Sequence, residues 1–511
     1  MYDEAYEATS RRENALPAAI SWRNKFLEAY PALISWLVLT APIWLTLIHP
    51  IVGIAFVVLA MSIFVVKVII YGVAALLNRE RVLEATRTDW VSKLRNHPEW
   101  EPYRIVFLIR AFREGNKAML TRTIDSIYQS DWRRNGERMV NVEVVFATEQ
   151  GDAITPPLVD ILGSDFANRL TVRQVIHPKE YDVLPGPSSA MHYVGRVLYD
   201  EVLRRKENPS KFIIIDLDSD TILHPKYLSG LMYQYLIDPN HDCRIYQPIV
   251  SFTLDYWNAP LHSRLAALGT SALTLGWNRF PEIAFTGAAG NMALYQSVDF
   301  WPTQSHSQDS GVELRLRMRY GNDFDVTGVP IPTRVYPVMA IGPRETWRER
   351  LSAYAMSFRV LFRQSARWRE GPMDEFLEAT RKGSLQFSLL KLWSGIERDT
   401  MTLLPGYGLI ALSVVLDMAY PTYDHSYLQP LATGVLSLIT LLGLAVFWQV
   451  LHTPEFVEPM PNRWRKIFEM LLFWVAFSFY IPILTACAGL KTSTAYAFGK
   501  KPTTHYAPTP K

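Results

Sequence analysis

Long apolar runs are the most prominent pattern in this chain, and they lie towards its two ends. Five runs are each about as long as a bilayer-spanning helix, which needs about 20 residues: 29–48, 51–77, 401–420, 428–451 and 467–490. Lys67 is the only charge in the second run, whereas Asp417 interrupts the third and Glu469 the fifth. The pattern predicts two transmembrane helices within 29–77 and three within 401–490.

Between these ends, residues 100–340 alternate short apolar runs with stretches of helical period. Four runs have the composition of strands: "RIVFLI" at 104–109, "NVEVVFA" at 141–147, "RLTVRQVI" at 169–176 and "KFIIID" at 211–216. Helical patterns follow the first run ("KAMLTRTIDSIYQ") and precede the fourth ("YVGRVLYDEVLRR"). Strands that alternate with helices favour an α/β domain with a mostly parallel sheet.

A second kind of helical pattern lies at 344–369. Five apolar residues recur there at spacings of four and three: Trp347, Leu351, Tyr354, Phe358 and Leu361. Such spacing places them on one face of a helix, and several arginines lie off that face. The helix either packs on the domain as an ordinary surface helix or lies in the membrane interface. Because apolar runs are close on both sides in sequence, we favour interfacial helices over 341–398.

Charge distribution predicts the orientation in the membrane. The 511-residue chain has a net charge of only +3, but basic residues cluster around the first two runs. They precede the first run and follow the second: Arg11, Arg12, Arg23 and Lys25, then Arg79, Arg81, Arg87, Lys93 and Arg95. The positive-inside rule therefore predicts a plasma (inner) membrane protein whose central region is cytoplasmic.

Two observations leave the picture open. Five crossings would put the C-terminus outside, yet the tail at 491–511 is basic, so either the count is wrong by one or the last segment is re-entrant. The two cysteines, Cys243 and Cys487, form no metal-binding spacing and no disulfide framework, which fits a reducing compartment.

The stretch "FIIIDLDSDTILHPKYL", residues 212–228, places three aspartates directly after a buried strand. In open α/β sheets, ligands bind in the crevice at the carboxyl ends of the strands. Carboxylates there suit a hard divalent cation that bridges to substrate phosphates. The alternative is a solvated, aspartate-rich turn, because short motifs of this kind also occur by chance.

Four motifs, in order, give the aspartates a context: "DSD" at 218–220, "FTGAAGN" at 285–291, "SQD" at 307–309 and "QSARW" at 364–368. With the apolar ends, they resemble the membrane-embedded processive family-2 glycosyltransferases, the group of cellulose, hyaluronan and chitin synthases. The resemblance covers nearly the whole chain. It implies a cytoplasmic GT-A type nucleotide-sugar domain between transmembrane helices, with tails at 1–28 and 491–511.

The resemblance also implies roles for particular residues. Asp218 and Asp220 would bind Mg²⁺ or Mn²⁺, Asp309 would be the catalytic base, and Gly287 would lie on the acceptor side. The donor nucleotide would contact Asp218, Glu149, Gln364 and Arg367, and Trp368 would stack on the acceptor sugar. Asp216 is then additional: it either supports the site or simply ends the strand, and we favour the second.

The chain also departs from the family pattern. Gln308 stands where the family has glutamate, and Arg110 and Arg113 replace a common proline and asparagine. Thr148 and Glu149 stand where paired aspartates are usual, and "PGPSSAMHY" lacks a frequent lysine. UDP is the family's usual carrier, so we expect a UDP-sugar, but these residues do not establish it.

The leading hypothesis is an inverting transferase that extends a β-linked polysaccharide and translocates it across the membrane. One alternative is a non-processive enzyme that adds a single sugar to a lipid or glycan. A second is a non-catalytic transporter or scaffold with a degenerate glycosyltransferase fold. The expected partners are a nucleotide-diphosphate sugar, a glycan or lipid-linked acceptor and the bilayer, with no nucleic acid. The end of the chain, "YAPTPK", resembles a gating segment of cellulose synthases.

Overall fold

The computed structural model describes most of the chain. The described residues are 18–131, 141–178, 187–278, 285–303, 305, 308–339, 346–397, 400, 403–458, 464, 467–468 and 481–498. The predicted N-terminal tail at 1–28 therefore lies largely outside them, and "YAPTPK" lies wholly outside them.

One eight-stranded sheet forms the centre of the molecule, in the order β3-β2-β1-β4-β7-β6-β8-β5. Its strands are β1 Arg104–Arg110, β2 Val142–Glu149, β3 Thr171–His177, β4 Phe212–Asp218, β5 Ile222–Leu223, β6 Arg244–Ser251, β7 Ala289–Asn291 and β8 Asp325–Arg334. Strands β3, β2, β1 and β4 pair in parallel, as do β6 and β8, whereas β7 and β5 join their neighbours antiparallel. The four strands predicted from sequence are thus confirmed within a mixed α/β domain.

Fifteen α-helices of at least five residues lie in the described part of the chain. They are α1 Ala18–Ile48, α2 Pro50–Arg87, α3 Trp90–Leu94, α4 Lys117–Tyr128, α5 Thr155–Phe166, α6 Pro187–Arg204, α7 Tyr227–Ile237, α8 Leu261–Trp277, α9 Met292–Ser297, α10 Gln308–Tyr320, α11 Trp347–Arg381, α12 Leu385–Ile396, α13 Leu409–Ala419, α14 Leu428–Leu451 and α15 Ile481–Ala497. Both predicted helical patterns of the central domain are confirmed, as α4 and α6.

Alternating side chains along β1 show why the central strands are apolar throughout. Ile105, Phe107 and Ile109 belong to one buried cluster, and Val106 and Leu108 belong to another. Successive side chains of a strand point to opposite faces, so the sheet is covered by helices on both sides. Strands buried in this way have continuous apolar sequences, and they end in polar residues at the edge where ligands bind.

Among the described residues, three helices are long and apolar enough to cross a membrane: Lys25–Ile48, Pro50–Arg87 and Leu428–Leu451. They match three of the five predicted runs. The run at 401–420 corresponds to a shorter apolar helix, Leu404–Ala419. Most of the run at 467–490 lies outside the described residues, and its last ten residues begin α15.

Helix α11 continues to Arg381, beyond the apolar pattern at 344–369 from which it was predicted. It begins with a capping box, in which Thr346 Oγ1 accepts from the Glu349 amide and the Glu349 carboxylate accepts from the Thr346 amide. Trp347 and Leu351 are 70% and 61% exposed, so the start of the apolar face is not packed against the domain. This exposure supports the interfacial interpretation, which stays a prediction.

Lys67, the single charge in the second apolar run, forms an ion pair with Glu397 beyond the end of α12. The distance from Lys67 Nζ to Glu397 Oε2 is 2.5 Å. An ionisable residue within a membrane-spanning helix is costly unless it is paired. The pair therefore joins α2 to the segment that follows α12.

We expect Lys67→Met and Glu397→Gln each to lower the thermal stability of the purified protein, and the double variant to recover part of that loss. A contacting charge pair has a coupling energy of about 0.5–3 kcal/mol, since each single change leaves a charge without its partner. A parallel cycle on the more exposed Arg196–Asp299 pair should give only about 0–1 kcal/mol. Additive effects at Lys67 and Glu397 would contradict the prediction.

Candidate functional site

Strands β1 and β4 end side by side, and their last residues form an ion pair. In the parallel register, Arg110 lies opposite Asp218 and Leu108 opposite Asp216. Arg110 Nε donates to Asp218 Oδ1 at 2.6 Å, and Nη1 donates to Asp216 Oδ1 at 3.0 Å. The guanidinium therefore joins two of the three aspartates in the 212–228 stretch.

The first turn of α10 supplies a third carboxylate. Asp309 Oδ1 accepts from Arg110 Nη1 at 3.3 Å. The side chain of Arg110 is 11% exposed, compared with 21% for Asp309. We call Arg110, Asp216, Asp218 and Asp309 the Arg110 cluster. It brings Asp218 of "DSD" and Asp309 of "SQD" together at the carboxyl ends of the parallel strands.

The charges in the Arg110 cluster shift one another's pKa values. Burial alone would lower the pKa of Arg110, but Asp216, Asp218 and Asp309 raise it well above its ordinary value. Burial raises the pKa of Asp216 well above its ordinary range; Arg110 opposes this shift, and Asp309 adds to it by charge and by a hydrogen bond. The arginine is thus a permanent cation, and the pKa of Asp216 is raised even though that cation contacts its carboxylate.

Gln308 meets the same guanidinium. With its amide oxygen turned towards Arg110, it accepts from Nη2 at 3.1 Å and from Nε at 3.0 Å. Two departures from the family pattern, Arg110 and Gln308, are therefore neighbours in space. A glutamate at position 308 would add a fourth carboxylate around the arginine, whereas the amide adds no charge.

The glycine-containing motif is tied to β4 by backbone hydrogen bonds. Gly287 N–H donates to the Asp216 carbonyl at 2.6 Å, and the Asp216 amide donates to the Ala288 carbonyl at 2.9 Å. Thr286 Oγ1 accepts from the Asp218 amide at 2.8 Å. These bonds hold "FTGAAGN" beside the Arg110 cluster and fix the backbone from which Asp216 and Asp218 project.

Gly287 has a specific conformational reason to be glycine. Its φ is +84°, and a Cβ at this position would lie 2.8 Å from Pro248 Cγ. Its carbonyl also accepts from Tyr227 Oη at 2.6 Å. The residue predicted on the acceptor side thus has a structural role, and the contacts that the structure gives it are with the domain's own core.

We expect Gly287→Ala to lower thermal stability more than Gly383→Ala does. Both glycines have positive φ, which costs an alanine about 1–3 kcal/mol. A Cβ at Gly383 meets nothing within 4 Å, whereas at Gly287 it meets Pro248. The melting midpoint of Gly383→Ala measures backbone strain alone, and that of Gly287→Ala measures strain together with the overlap with Pro248. Equal decreases in the two midpoints would show that the contact with Pro248 relaxes without cost.

Loops after the strands close the rim of the site. Asp152 accepts from the Arg113 amide at 2.6 Å, and Thr155 Oγ1 accepts from the Glu114 amide at 2.9 Å. Glu114 Oε1 in turn accepts from Ser219 Oγ at 3.1 Å. The loops that follow β1, β2 and β4 therefore form one connected edge.

Glu149, predicted to contact the nucleotide, lies at the end of β2 on this same edge of the sheet. Its Oε2 is 2.8 Å from Nδ1 of His177, the residue opposite it on β3. His177 is fully buried, whereas the Glu149 side chain is 14% exposed. The position at the edge fits the prediction, while the contact itself gives Glu149 a role in joining two strands.

The "QSARW" motif lies in the middle of α11, and polar contacts set this helix against the start of α10. Ser305 Oγ donates to Asp374 Oδ2 at 3.0 Å, and Arg315 Nε donates to Glu378 Oε1 at 2.8 Å. These two contacts join the part of α11 that follows the motif to α10 and to the residue before it. The motif carries Gln364, Arg367 and Trp368, of which Arg367 is half-buried and Trp368 is 39% exposed.

Helix α15 packs against the other side of the motif. Thr492 Oγ1 donates to the Ala366 carbonyl at 3.3 Å. Tyr496 Oη donates to Asp374 Oδ1 at 3.0 Å, so the same acid bridges α15 and the segment before α10. The C-terminal helix, the motif and the entrance to α10 thus form one packed unit.

The predicted metal ligands, Asp218 and Asp220, do not form an open cation site in this arrangement. The Asp218 carboxylate accepts from Arg110, and Asp220 is 6% exposed. Within the described residues, no three His, Cys, Asp or Glu side chains are grouped so that they could hold a metal ion. A guanidinium stands among the carboxylates that the family resemblance assigns to metal and base.

Two residues of the site were not predicted as such. Asp216 does not end the strand, because β4 continues to Asp218 and the Asp216 side chain is buried against Arg110. Arg110 was noted in the sequence only as a departure from the family pattern. The signal was present: a charged residue ends an otherwise apolar strand, as Asp218 does in the neighbouring strand.

Comparison with models of known protein families gives no match, and comparison with curated proteins gives no relative. The assignment of function therefore depends on the motifs and on their geometry.

Proposed function

We propose that this chain is a membrane-embedded inverting glycosyltransferase with a GT-A type domain. It would transfer a sugar from a nucleoside diphosphate, UDP being the expected carrier, to a glycan hydroxyl. The observation that carries the proposal is the convergence of three motif segments at the carboxyl ends of β1 and β4. Residues 218–220, 285–291 and 308–309 are far apart in sequence but are joined by the hydrogen bonds of Arg110, Thr286 and Gly287.

Asp309 is the base in this proposal. The acceptor oxygen attacks the anomeric carbon of the donor from the side opposite the leaving group and forms the new C–O bond. The old C–O bond breaks, and its electron pair leaves with the nucleoside diphosphate. Asp309 takes the proton of the acceptor hydroxyl as it attacks. One displacement of this kind inverts the anomeric centre.

The leaving diphosphate needs positive charge or hydrogen-bond donors near it. Arg367 would provide a planar guanidinium to the diphosphate. Gln364, on the same helix, would donate hydrogen bonds without adding charge. Trp368 exposes part of its ring, which suits stacking on the acceptor sugar. Because a guanidinium stands among Asp216, Asp218 and Asp309, no step is assigned to a divalent cation.

Extension of a polysaccharide is the form of the reaction that the membrane helices favour. The exposed apolar start of α11 and the three membrane-length helices would place the site next to the bilayer. A single-addition transferase would use the same chemistry. The hydrogen bond from Arg110 to Asp309 favours the other candidate, a non-catalytic protein with a degenerate site.

The test uses full-length protein in detergent or nanodiscs, with a panel of nucleotide-diphosphate sugars. We expect release of a nucleoside diphosphate with one donor, with loss of that release in Asp309→Asn. A surface carboxylate that also pairs with an arginine, in Asp299→Asn, is the matched control. No release with any donor would support the non-catalytic candidate, and products with a single added sugar would exclude polymer extension.

Arg367 and Trp368 are adjacent in sequence but about 100° apart around α11, so their losses should differ. Arg367→Lys keeps the charge but not the planar guanidinium, and we expect weaker donor binding. Trp368→Ala should shorten the products while donor binding is kept. Donor affinity by calorimetry and product length by gel filtration check both variants; an equal loss of donor affinity would refute the division of roles.

A further inference from the structure

Arg110 occupies the position at which three carboxylates from two different segments converge. It donates to Asp218 and Asp216 on β4 and to Asp309 on α10, at 2.6, 3.0 and 3.3 Å. Its side chain is 11% exposed, and that of Asp216 is 3% exposed. One guanidinium from within the chain is therefore shared by all three acids.

The backbone makes this placement specific. Arg110 is the last residue of β1 and lies opposite Asp218 in the parallel register. Asp218 and Asp216 are fixed by the backbone bonds to Thr286, Gly287 and Ala288. The guanidinium is therefore held at the centre of the cluster by the sheet itself, and Gln308 packs against it with an amide that carries no charge.

We infer that Arg110 is the built-in cation of this site and that it excludes a divalent metal ion from Asp218 and Asp309. A metal ion at these carboxylates would have to displace the guanidinium or lie within a few ångströms of a permanent positive charge. Two like charges at such a distance repel strongly in a partly buried site. When the guanidinium is removed, the same carboxylates become free to move towards one another and to bind a metal ion in its place.

This inference concerns the cation alone and stands whether or not the chain transfers sugar. Its probe is Mn²⁺, added to full-length purified protein without nucleotide and followed by electron paramagnetic resonance of the free ion. We expect no Mn²⁺ binding by wild-type protein to depend on Asp218. Any Mn²⁺ that the wild type binds should therefore remain bound in Asp218→Asn. Arg110→Ala should gain one Mn²⁺ site per chain at these carboxylates. The affinity of that site should be about 100-fold or more above any affinity of the wild-type carboxylates for Mn²⁺.

Three variants make the result specific. Arg110→Ala combined with Asp218→Asn should lose the new site, and Arg110→Lys should exclude Mn²⁺ because it keeps the charge. Arg104→Ala removes an ion-paired arginine from the other end of the same strand and should behave as wild type. If Arg110→Ala does not fold, Arg110→Gln replaces it, because it keeps more of the side-chain volume.

Two results would overturn the inference. One is a wild-type Mn²⁺ site that disappears in Asp218→Asn, which would show that the guanidinium gives way to the metal. The other is a folded Arg110→Ala or Arg110→Gln protein, by circular dichroism, that gains no Mn²⁺ site. Neither result depends on a nucleotide sugar, so both are distinguishable from a failure of the proposed transferase activity.

Discussion

Asp309→Asn is expected to lower the rate of sugar transfer by about two to four orders of magnitude, the usual contribution of a positioned general base. The asparagine is nearly isosteric and keeps an oxygen that can accept from Arg110, so the fold should be preserved. It cannot take a proton from the acceptor hydroxyl. The measurement is the rate of nucleoside-diphosphate release at saturating donor and acceptor.

Donor affinity distinguishes chemistry from structure in this variant. The proposal predicts that Asp309→Asn binds the donor almost as wild type does, because the lost interaction is made in the transition state. Asp299→Asn, on the surface and also paired with an arginine, should leave both rate and affinity unchanged. A parallel loss of donor affinity in Asp309→Asn would mark Asp309 as a structural element of the Arg110 cluster.

Arg110→Ala, measured in the presence of a chelator, is expected to lower the stability of the folded protein by about 3–5 kcal/mol. That is the usual cost of removing one partner from a buried ion pair, since the remaining charge is left uncompensated. Asp216 is the most affected acid, because its side chain is only 3% exposed. The thermal midpoint of the detergent-solubilised protein gives the direction and relative size of the loss.

A second substitution tests the origin of that loss. Arg110→Ala combined with Asp216→Asn removes the most buried carboxylate, so it should recover part of the stability. Arg104→Ala, whose partner Glu207 is more exposed, should cost about 0–1 kcal/mol. If Arg110→Ala is no less stable than Arg104→Ala, the charges of the Arg110 cluster are better solvated than their burial indicates.

The part of the fold that sequence predicts well is the part buried on both faces. Strands β1, β2 and β4 are mainly apolar because helices cover the sheet on each side, whereas β3, at the edge of the sheet, is only half-buried and carries polar residues. The remaining strands gave no such signal: β7 has three residues, and β8, "DVTGVPIPTR", is interrupted by glycine and prolines. Strands β5 and β7 are too short to display a periodic pattern, and in β6 and β8 prolines or glycine interrupt the apolar residues.

The candidate site divides in a similar way. Asp218 and Asp309 were predicted because each lies in a short motif. Arg110 and Asp218 are 108 residues apart, and their contact depends on the register of two parallel strands. No local pattern encodes that register, so the sequence could show an arginine at the end of β1 but not which acids it pairs with.

Helix α2 has a mechanical consequence. Its 38 residues make a rod of about 57 Å, almost twice the hydrocarbon thickness of a bilayer, which is about 30 Å. Its distal part is fastened to the domain, because Asn78 Nδ2 donates to the Leu275 carbonyl at 2.7 Å. At Gly276, an added Cβ would lie 2.6 Å from the Tyr71 carbonyl oxygen, so the two backbones are in close contact. Helix α2 is continuous from the proposed membrane anchor to these contacts with the domain, so we expect it to fix the distance and tilt of the site relative to the lipid.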